Sequence, residues 1–172
     1  MKRVRISKVI SSGETGVGRA AIDTAVNLDI PYGGWCPNGG KASDMSEPPG
    51  LLGHYLALQA TPASSPQQRT EWNVRDSDAT LVLYGPSGIG CSATAVRTQD
   101  HAQNYCRPAI VLSVGDYTSI DQVHDWVLSL PAHISLNISG PSEIEESGIY
   151  SASRYFIEEL LISTTSRPGN SS

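Results

Sequence analysis

The sequence has little cysteine, little positive charge and no long apolar run, and each shortage excludes a class of protein. The three cysteines, Cys36, Cys91 and Cys106, form no C-x-x-C pair, so reduced thiols in a cytoplasm are expected rather than disulfides or a metal site. The net charge of −5 disfavours nonspecific nucleic-acid binding through a broad basic face. No apolar stretch approaches the roughly 20 residues that span a bilayer, and residues 6–10 are too short and polar for an export signal.

The chain alternates strand-like and helix-like segments, which is typical of an α/β protein with a mostly parallel sheet. Strands are predicted at 5–10, 32–35, 79–84, 109–114 and 134–138, and helices at 19–28, 67–77, 92–105, 120–130 and 149–162. We predict a single Rossmann-like, doubly wound domain over residues 1–162, with its five strands in the order 2-1-3-4-5. Residues 163–172, rich in Ser and Thr, are predicted to form a disordered tail.

Three glycine-rich turns each follow an apolar, strand-like run and lead into helix-like sequence. They contain Gly13, Gly16 and Gly18; Gly85, Gly88 and Gly90; and Gly140. In a parallel sheet the strand-to-helix turns emerge on one edge, where ligands bind. The helix N-termini that follow offer unpaired N–H groups and a partial positive charge. The turns therefore predict a site for an anion-bearing small molecule, such as a nucleotide or a pterin.

The first turn supplies hydroxyls and a cation in addition to its glycines. Ser12 and Thr15 can bond an oxyanion, and Arg19 lies in the first helical turn, within reach of a phosphate. The glycine spacing departs from the dinucleotide-binding G-x-G-x-x-G pattern, and no Walker lysine follows. The alternative is a tight turn whose glycines only allow the helix to pack on the sheet.

The second turn is denser in small residues. Its candidate binding residues are Gly85, Gly88, Gly90, Cys91, Ser92 and Thr94. Ser92 or Thr94 can cap the next helix, and the N–H groups of residues 88–91 can form an anion-binding nest. A thiol near a helix N-terminus tends to have a lowered pKa, but no histidine lies near Cys91 in sequence to act as its base. We interpret Cys91 as a small loop residue, with a reactive thiol as the alternative.

One predicted helix carries an unusually polar face. Arg69, Trp72, Asn73 and Asp76 recur at helical spacing, so they share one side of the helix. Such a face either lines a pocket or subunit interface, or is simply solvated with an Arg–Asp pair. Asn137, near the end of the last predicted strand, is either a further pocket residue or a turn cap.

Residues 36–66 are rich in Gly, Pro and Ser and show little periodicity. A long irregular stretch inside a compact domain is either functional or mobile. The apolar residues in and beside it are Trp35, Leu51, Leu52, Tyr55, Leu56 and Leu58. A loose segment would expose much of this apolar surface, so we predict that it is buried between the subunits of a homodimer or a higher homo-oligomer. The alternative is a lid that folds over the cleft of its own domain.

Four motifs occur in order along the chain. They are Ser12-Gly13-Glu14-Thr15-Gly16-Val17 with Arg19-Ala20-Ala21; Gly33-Gly34-Trp35-Cys36-Pro37; the stretch from Arg69 to Asp78; and Leu136-Asn137 with Ser139-Gly140-Pro141. Together they resemble the putative molybdenum carrier family from Val4 to about Leu161. The resemblance implies the Rossmann-like fold of molybdenum cofactor carriers, lysine-decarboxylase-like phosphoribohydrolases and DNA-processing protein A. It also implies that these motifs, including Trp35 and Gly140, bind a molybdopterin-type cofactor or another phosphorylated ligand.

The chain departs from the family at several of these positions. The family usually has Gly, Gln and Asp where Ser12, Glu14 and Gly18 stand, and Gly-Gly-Thr in place of residues 89–91. Glu14 therefore places a negative charge beside the proposed anion site. The phosphoribohydrolase signature Pro-Gly-Gly-x-Gly-Thr-x-x-Glu is not present around residues 85–95, which lowers the case for an enzyme.

The leading prediction is a noncatalytic binding protein for a phosphate-bearing ligand, with the molybdenum cofactor as the candidate. The first alternative is a nucleotide-processing hydrolase of the phosphoribohydrolase type, in which Glu14, Asp76 or Asp78 acts as base. The second is a nucleic-acid interaction module like DNA-processing protein A, which the acidic balance disfavours. A cavity with converging carboxylates would favour the hydrolase, whereas a cavity lined by donors only would favour the carrier.

Overall fold

The computed structural model describes residues 5–165, in which six strands alternate with six α-helices. In chain order these are β1 (Ile6–Ile10), α1 (Val17–Asn27), β2 (Tyr32–Cys36), α2 (Leu51–His54), β3 (Leu58–Ala60), α3 (Pro66–Arg75), β4 (Ala79–Tyr84), α4 (Ala93–Asn104), β5 (Ala109–Ser113), α5 (Ser119–Ser129), β6 (Ile134–Ser139) and α6 (Ile149–Thr165). Short 3-10 turns occur at Asn38–Gly40 and Ile89–Cys91. Helix α6 extends to Thr165, so the first three residues of the predicted tail are helical. The remainder of that tail lies outside the described residues.

The six strands form one sheet in the order β3-β2-β1-β6-β4-β5, and every named strand pair is parallel. The single α/β domain with a parallel sheet is as predicted, but the predicted strand order is wrong. That order placed β1 beside β4, whereas β6 lies between them, pairing Val9 with Leu136 and Leu81 with Ile138. Alternating periodicity indicates which segments are strands but carries no information about their lateral order. The last strand, β6, lies in the centre of the sheet, where its apolar residues are buried.

The helices pack in two groups against the sheet. Helix α1 packs beside α6, and α6 beside α5, and their buried side chains join those of β1, β4 and β6 in the main apolar cluster. Helices α3 and α4 pack beside each other and bury Val74 and Ala95. Because the sheet is covered on both faces, β4 reads as a nearly continuous apolar run rather than as an alternating one.

The segment predicted to be irregular, residues 36–66, folds back onto its own domain. Cys36, Leu51 and Leu58 are buried against Ile22 of α1 in a second apolar cluster, and β3 pairs with β2 along the sheet edge. Of the apolar residues expected to be loose, Leu56 stays 85% exposed. The apolar surface that motivated the homodimer is therefore mostly used within the chain, and association into a dimer stays a prediction without that support.

Two tyrosines fasten this segment and α6 to α1 through one carboxylate. The hydroxyls of Tyr55 and Tyr150 each donate to Asp23 at 2.6 Å. Burial, reinforced by the bond to Asp23, raises the pKa of Tyr55 above its ordinary value of 10.0. A raised folded pKa contributes stability that is fully present below the unfolded pKa and is lost as the pH rises through the folded pKa.

We therefore expect Tyr55→Phe to lower the free energy of unfolding by about 1 kcal/mol at pH 8, because one side-chain hydrogen bond is lost while Asp23 keeps its bond from Tyr150. The variant should also lose less stability than the parent as the pH rises above about 10. Denaturant unfolding between pH 8 and pH 11 measures both effects. Tyr117→Phe, at a residue 96% exposed, controls for a general effect of tyrosine titration. Identical pH dependence in the parent and Tyr55→Phe would contradict the expectation.

Candidate functional site

A cavity of about 250 Å³ opens at the carboxyl ends of β1 and β6. It is lined by Ser12, Glu14, Gly18, Ser43, Pro66, Arg69, Thr94, Ser139, Gly140, Ser142, Ile144 and Glu145. From β1 the chain continues to β2, which lies on one side of β6, and from β4 it continues to β5, which lies on the other side. The two connections therefore run in opposite directions away from β6. Open α/β sheets bind ligands outside the carboxyl ends of the strands at such a point. The cavity therefore lies where the topology favours a ligand.

Three helices of ten or more residues begin at this cavity. Gly18 lies at the start of α1, Pro66 at the start of α3 and Thr94 at the start of α4. Ser92 caps α4 by accepting the N–H of Ala95 at 3.2 Å. The partial positive charges at the three helix starts add in the same space. This arrangement favours a bound anion there.

Arg69 is the cation of the cavity lining, and its Nε has no hydrogen-bond partner among the residues that the structure describes. The residue is 4% exposed, and its Nε makes no hydrogen bond within residues 5–165. Burial lowers the pKa of Arg69, whereas the carboxylates of Glu14 and Glu145 oppose this effect from nearby. Arginine stays protonated in proteins, and buried polar groups are nearly always hydrogen-bonded. The unpaired Nε therefore points to a partner outside residues 5–165.

A smaller polar recess of about 10 Å³ shares Ser12, Arg69 and Ser139 with the cavity. Two of the predicted binding residues, Asn73 and Asn137, lie in its wall. The side chain of Asn73 bonds Trp35, accepting from its N at 2.7 Å and donating to its O at 3.0 Å. Asn137 Nδ2 donates to Thr80 Oγ1 at 3.3 Å. Asn73 thus connects α3 to β2. Both amide side chains line the recess and not the cavity.

Two carboxylates line the cavity, and one oxygen of each accepts hydrogen bonds from backbone N–H groups. Glu14 Oε1 accepts the N–H of Thr15 at 2.7 Å and of Ser43 at 2.9 Å, which brings Ser43 into the lining. Glu145 Oε2 accepts the N–H of Ser142 at 2.8 Å. The lining therefore contains a cation, five hydroxyls and two carboxylates, so it is not the donors-only cavity that would favour the carrier.

Sequence reasoning missed the residues that the β6–α6 connection contributes, above all Glu145. Ser142 Oγ accepts the N–H of Glu145 at 3.3 Å while Glu145 accepts that of Ser142, which is the reciprocal pattern of a capping box. The Ser-x-x-Glu spacing was readable in the sequence. Glu146 of the same turn is buried and accepts the N–H of Ser87 at 3.1 Å. By contrast, nothing local indicated Ser43, whose place depends on Glu14.

Arg19, predicted to bind phosphate, does not line the cavity. Its guanidinium bonds both oxygens of Asp44 at 2.8 and 2.9 Å, and its Nε donates to the carbonyl of Gly13 at 2.8 Å. With Thr15 and Gly16 it lines a separate hollow of about 400 Å³. Burial works against the charge, but Asp44 outweighs it, so the pKa of Arg19 is raised. Arg19 therefore fastens the 36–66 segment to α1.

The predicted second-turn residues other than Thr94 lie outside the cavity. An added Cβ at Gly88 or Gly90 would meet nothing within 4 Å, so those positions face open space, while Gly85 packs against Glu146. Burial and the nearby Glu146 and Glu145 raise the pKa of Cys91. This direction is opposite to the general tendency of a thiol near a helix N-terminus, and burial is its largest cause.

The remaining candidate acids and Trp35 also lie elsewhere. Trp35 meets Trp72 edge to face at 4.8 Å between ring centroids, and its Nε1 donates to Asp76 at 2.7 Å. Asp76 follows the last residue of α3, at the end away from the cavity. Asp78 precedes β4, at the opposite edge of the sheet, and accepts from Ser135. Neither aspartate lines the cavity.

The glycines of the first and third turns allow close packing between them. An added Cβ at Gly16 would overlap Pro141 O, and one at Gly140 would overlap Leu83 O and lie 2.6 Å from Val17 Cγ2. Of the two, Gly140 lies in the lining. The packing alternative given for the first turn thus accounts for Gly16.

Within residues 5–165 there is no group of three or more His, Cys, Asp or Glu side chains that could hold a metal ion. In the same part of the chain no helix has both the length and the apolar character to cross a membrane.

Comparison with known proteins supports the resemblance noted in the motifs. Residues 9–161 match the Circularly permutated YpsA SLOG family. The crystal structure of "Putative molybdenum carrier protein" from Syntrophus aciditrophicus SB, at 1.45 Å resolution, is similar with a TM-score of 0.79. The sequences are 34% identical, covering 92% of this chain and 97% of that chain. No curated protein matches the chain significantly.

These findings confirm the resemblance to molybdenum carriers and the Rossmann-like fold. The central place of the last strand, β6, agrees with a permuted order of segments along the chain. The chain belongs to the Circularly permutated YpsA SLOG family.

Proposed function

We propose that the protein binds a phosphate-bearing small molecule in the cavity at the carboxyl ends of β1 and β6. The observation that carries this proposal is the Arg69 guanidinium, which is buried and has no hydrogen-bond partner for Nε among the described residues. A buried charged donor that forms no hydrogen bond destabilises the protein. A phosphate oxygen bound in the cavity would be an acceptor for it. Three helix N-termini and five hydroxyls around the same space add donors for the remaining oxygens.

The candidate ligand is the molybdenum cofactor or another phosphorylated compound of similar size. Support comes from the relative of 34% identity, which is named a molybdenum carrier protein. The cavity, about 250 Å³ and open to solvent, can enclose part of such a ligand while the rest extends outward. We further propose a cytoplasmic location, in keeping with three cysteines that are all free.

Native mass spectrometry of the protein purified from its own host would reveal a retained ligand by its mass. Calorimetry of the purified protein with nucleoside monophosphates, a phosphorylated pterin, inorganic phosphate and molybdate then tests the chemistry. We expect binding of phosphorylated compounds, weakened as salt screens the charges. If a folded sample binds none of these probes, the proposal is wrong.

The hydrolase alternative retains one observation in its favour, because Glu14 and Glu145 both line the cavity. Against the hydrolase, one oxygen of Glu14 already accepts hydrogen bonds from two backbone N–H groups. These bonds give Glu14 a structural role in its loop. The same calorimetric samples distinguish the readings by chromatography. Release of free base from a nucleoside monophosphate by the parent, abolished in Glu14→Gln, would favour the hydrolase over the binding protein.

A further inference from the structure

The two cavity carboxylates each keep one oxygen that forms no hydrogen bond within the described part of the chain. Glu14 binds the backbone through Oε1 and Glu145 through Oε2, and no hydrogen bond within residues 5–165 engages Glu14 Oε2 or Glu145 Oε1. Both residues are half-buried and line the same space as Arg69. The cavity thus offers an unpaired cation and, beside it, two acceptors held in place by their backbone bonds.

This charge pattern selects against a ligand that is only an anion. The lining carries one positive side chain and two negative ones, so a bare phosphate attracted by Arg69 is also repelled by Glu14 and Glu145. A ligand that places N–H donors against the carboxylates converts that repulsion into hydrogen bonds. Charge-assisted bonds of this kind are stronger than neutral ones.

We propose that the ligand joins its phosphate to a flat heterocycle whose ring N–H and adjacent amino group bond the free oxygens of Glu14 and Glu145. That amino–oxo edge is shared by guanine and the pterins. The inference deepens the proposed function and rests on it, because Arg69 anchors the phosphate. Pro66 and Ile144, the larger apolar side chains of the lining, provide surfaces for the ring, and Ile144 is 79% exposed at the cavity.

A divalent cation between the two carboxylates is the competing reading. Magnesium is commonly held by one or two carboxylates together with substrate phosphates. However, the buried Arg69 lies within electrostatic range of both carboxylates and repels a second cation in the same space. Neutral N–H donors do not meet that repulsion, so they fit the site better.

The test is a calorimetric comparison of GMP, a phosphorylated pterin, IMP, AMP and inorganic phosphate. IMP lacks the amino group, and AMP presents an acceptor where GMP has its ring N–H. We expect GMP and the pterin to bind roughly tenfold or more tightly than IMP, with AMP weaker still.

Glutamine variants test whether each carboxylate contacts the ligand, because they keep its hydrogen bonds from the backbone. In Glu14→Gln and Glu145→Gln the side chain keeps one oxygen for the loop and turns the free acceptor into a donor. The variant at the carboxylate that bonds the amino group should bring the affinity for GMP down to that for IMP. The variant at the carboxylate that bonds the ring N–H should lower the affinities for GMP and IMP together, and both variants should leave phosphate affinity equal or higher. Glu143→Gln is the matched control, because the Glu143 oxygens accept from Gly148 and Tyr150 instead of lining the cavity. It should keep the preference for GMP.

The outcomes separate this inference from the proposed function. Equal affinities for GMP, IMP and AMP, with phosphate still bound, would overturn the amino–oxo edge and leave the phosphate site standing. A GMP preference that disappears in chelator would overturn it in favour of a bound cation. Equal loss of GMP and phosphate in the glutamine variants would also overturn it. Binding of no phosphorylated probe would overturn both. Thermal unfolding verifies that every variant is folded, and either glutamine variant alone suffices if the other fails.

Discussion

Replacing Arg69 by methionine should weaken ligand binding and at the same time stabilise the free protein. Arg69→Met removes the cation that anchors the phosphate, a loss of about 1.5–3 kcal/mol, or roughly 10- to 150-fold in affinity. It also removes a buried charge whose Nε has no hydrogen-bond partner among the described residues, so the unfolding free energy should rise by about 1–3 kcal/mol. Calorimetry with GMP and denaturant unfolding without ligand measure the two effects.

Arg19→Met is the matched control, because Arg19 is already paired with Asp44 and lies outside the cavity lining. It should leave affinity within about twofold and lower stability by up to about 1 kcal/mol, since the pair is partly exposed. A more stable Arg69→Met that binds GMP normally would show that the unpaired guanidinium is a packing defect and not a binding group. Loss of binding in Arg19→Met but not in Arg69→Met would move the site to the separate hollow.

Gly16→Ala should destabilise the protein by about 3 kcal/mol or more. Gly16 has φ +81° and ψ −131° at the start of α1, a conformation that costs other residues about 1–3 kcal/mol. Its added Cβ would also overlap Pro141 O and lie 2.8 Å from Ser142 C, which forces the first and third turns apart. Because those turns carry Ser12, Gly140 and Ser142 of the cavity lining, affinity for the phosphate probe should fall as well.

Gly90→Ala controls for the general effect of losing a turn glycine. An added Cβ there meets nothing within 4 Å, and no positive φ is required, so we expect a change within about 0.5 kcal/mol. Thermal or denaturant unfolding of both variants provides the comparison. Equal stability of Gly16→Ala and the parent would contradict the packing of these turns.

The local elements could be predicted from the sequence because their signals are local. Apolar periodicity placed five of the six strands and the five longer helices, and the sole strand missed, β3, has three residues. Glycine-rich turns after β1, β4 and β6 predicted a ligand site at their carboxyl ends, the edge at which the cavity opens. The sequence indicated that Arg69 belongs to an unusually polar helix face. It did not indicate that Arg69, and not Arg19, lines the cavity.

The tertiary structure decided which of these groups form the candidate site. The two arginines differ because Asp44 neutralises Arg19 across a fold-back of residues 36–66, whereas nothing within residues 5–165 bonds Arg69 Nε. Ser43 and Glu145 reach the cavity from distant parts of the chain, and β6 enters the sheet between β1 and β4. Periodicity and capping act over a few residues, and they therefore determined the elements themselves. Strand order and charge pairing join residues far apart in sequence, and so only packing in three dimensions decided which arginine lacks a partner for its Nε within residues 5–165.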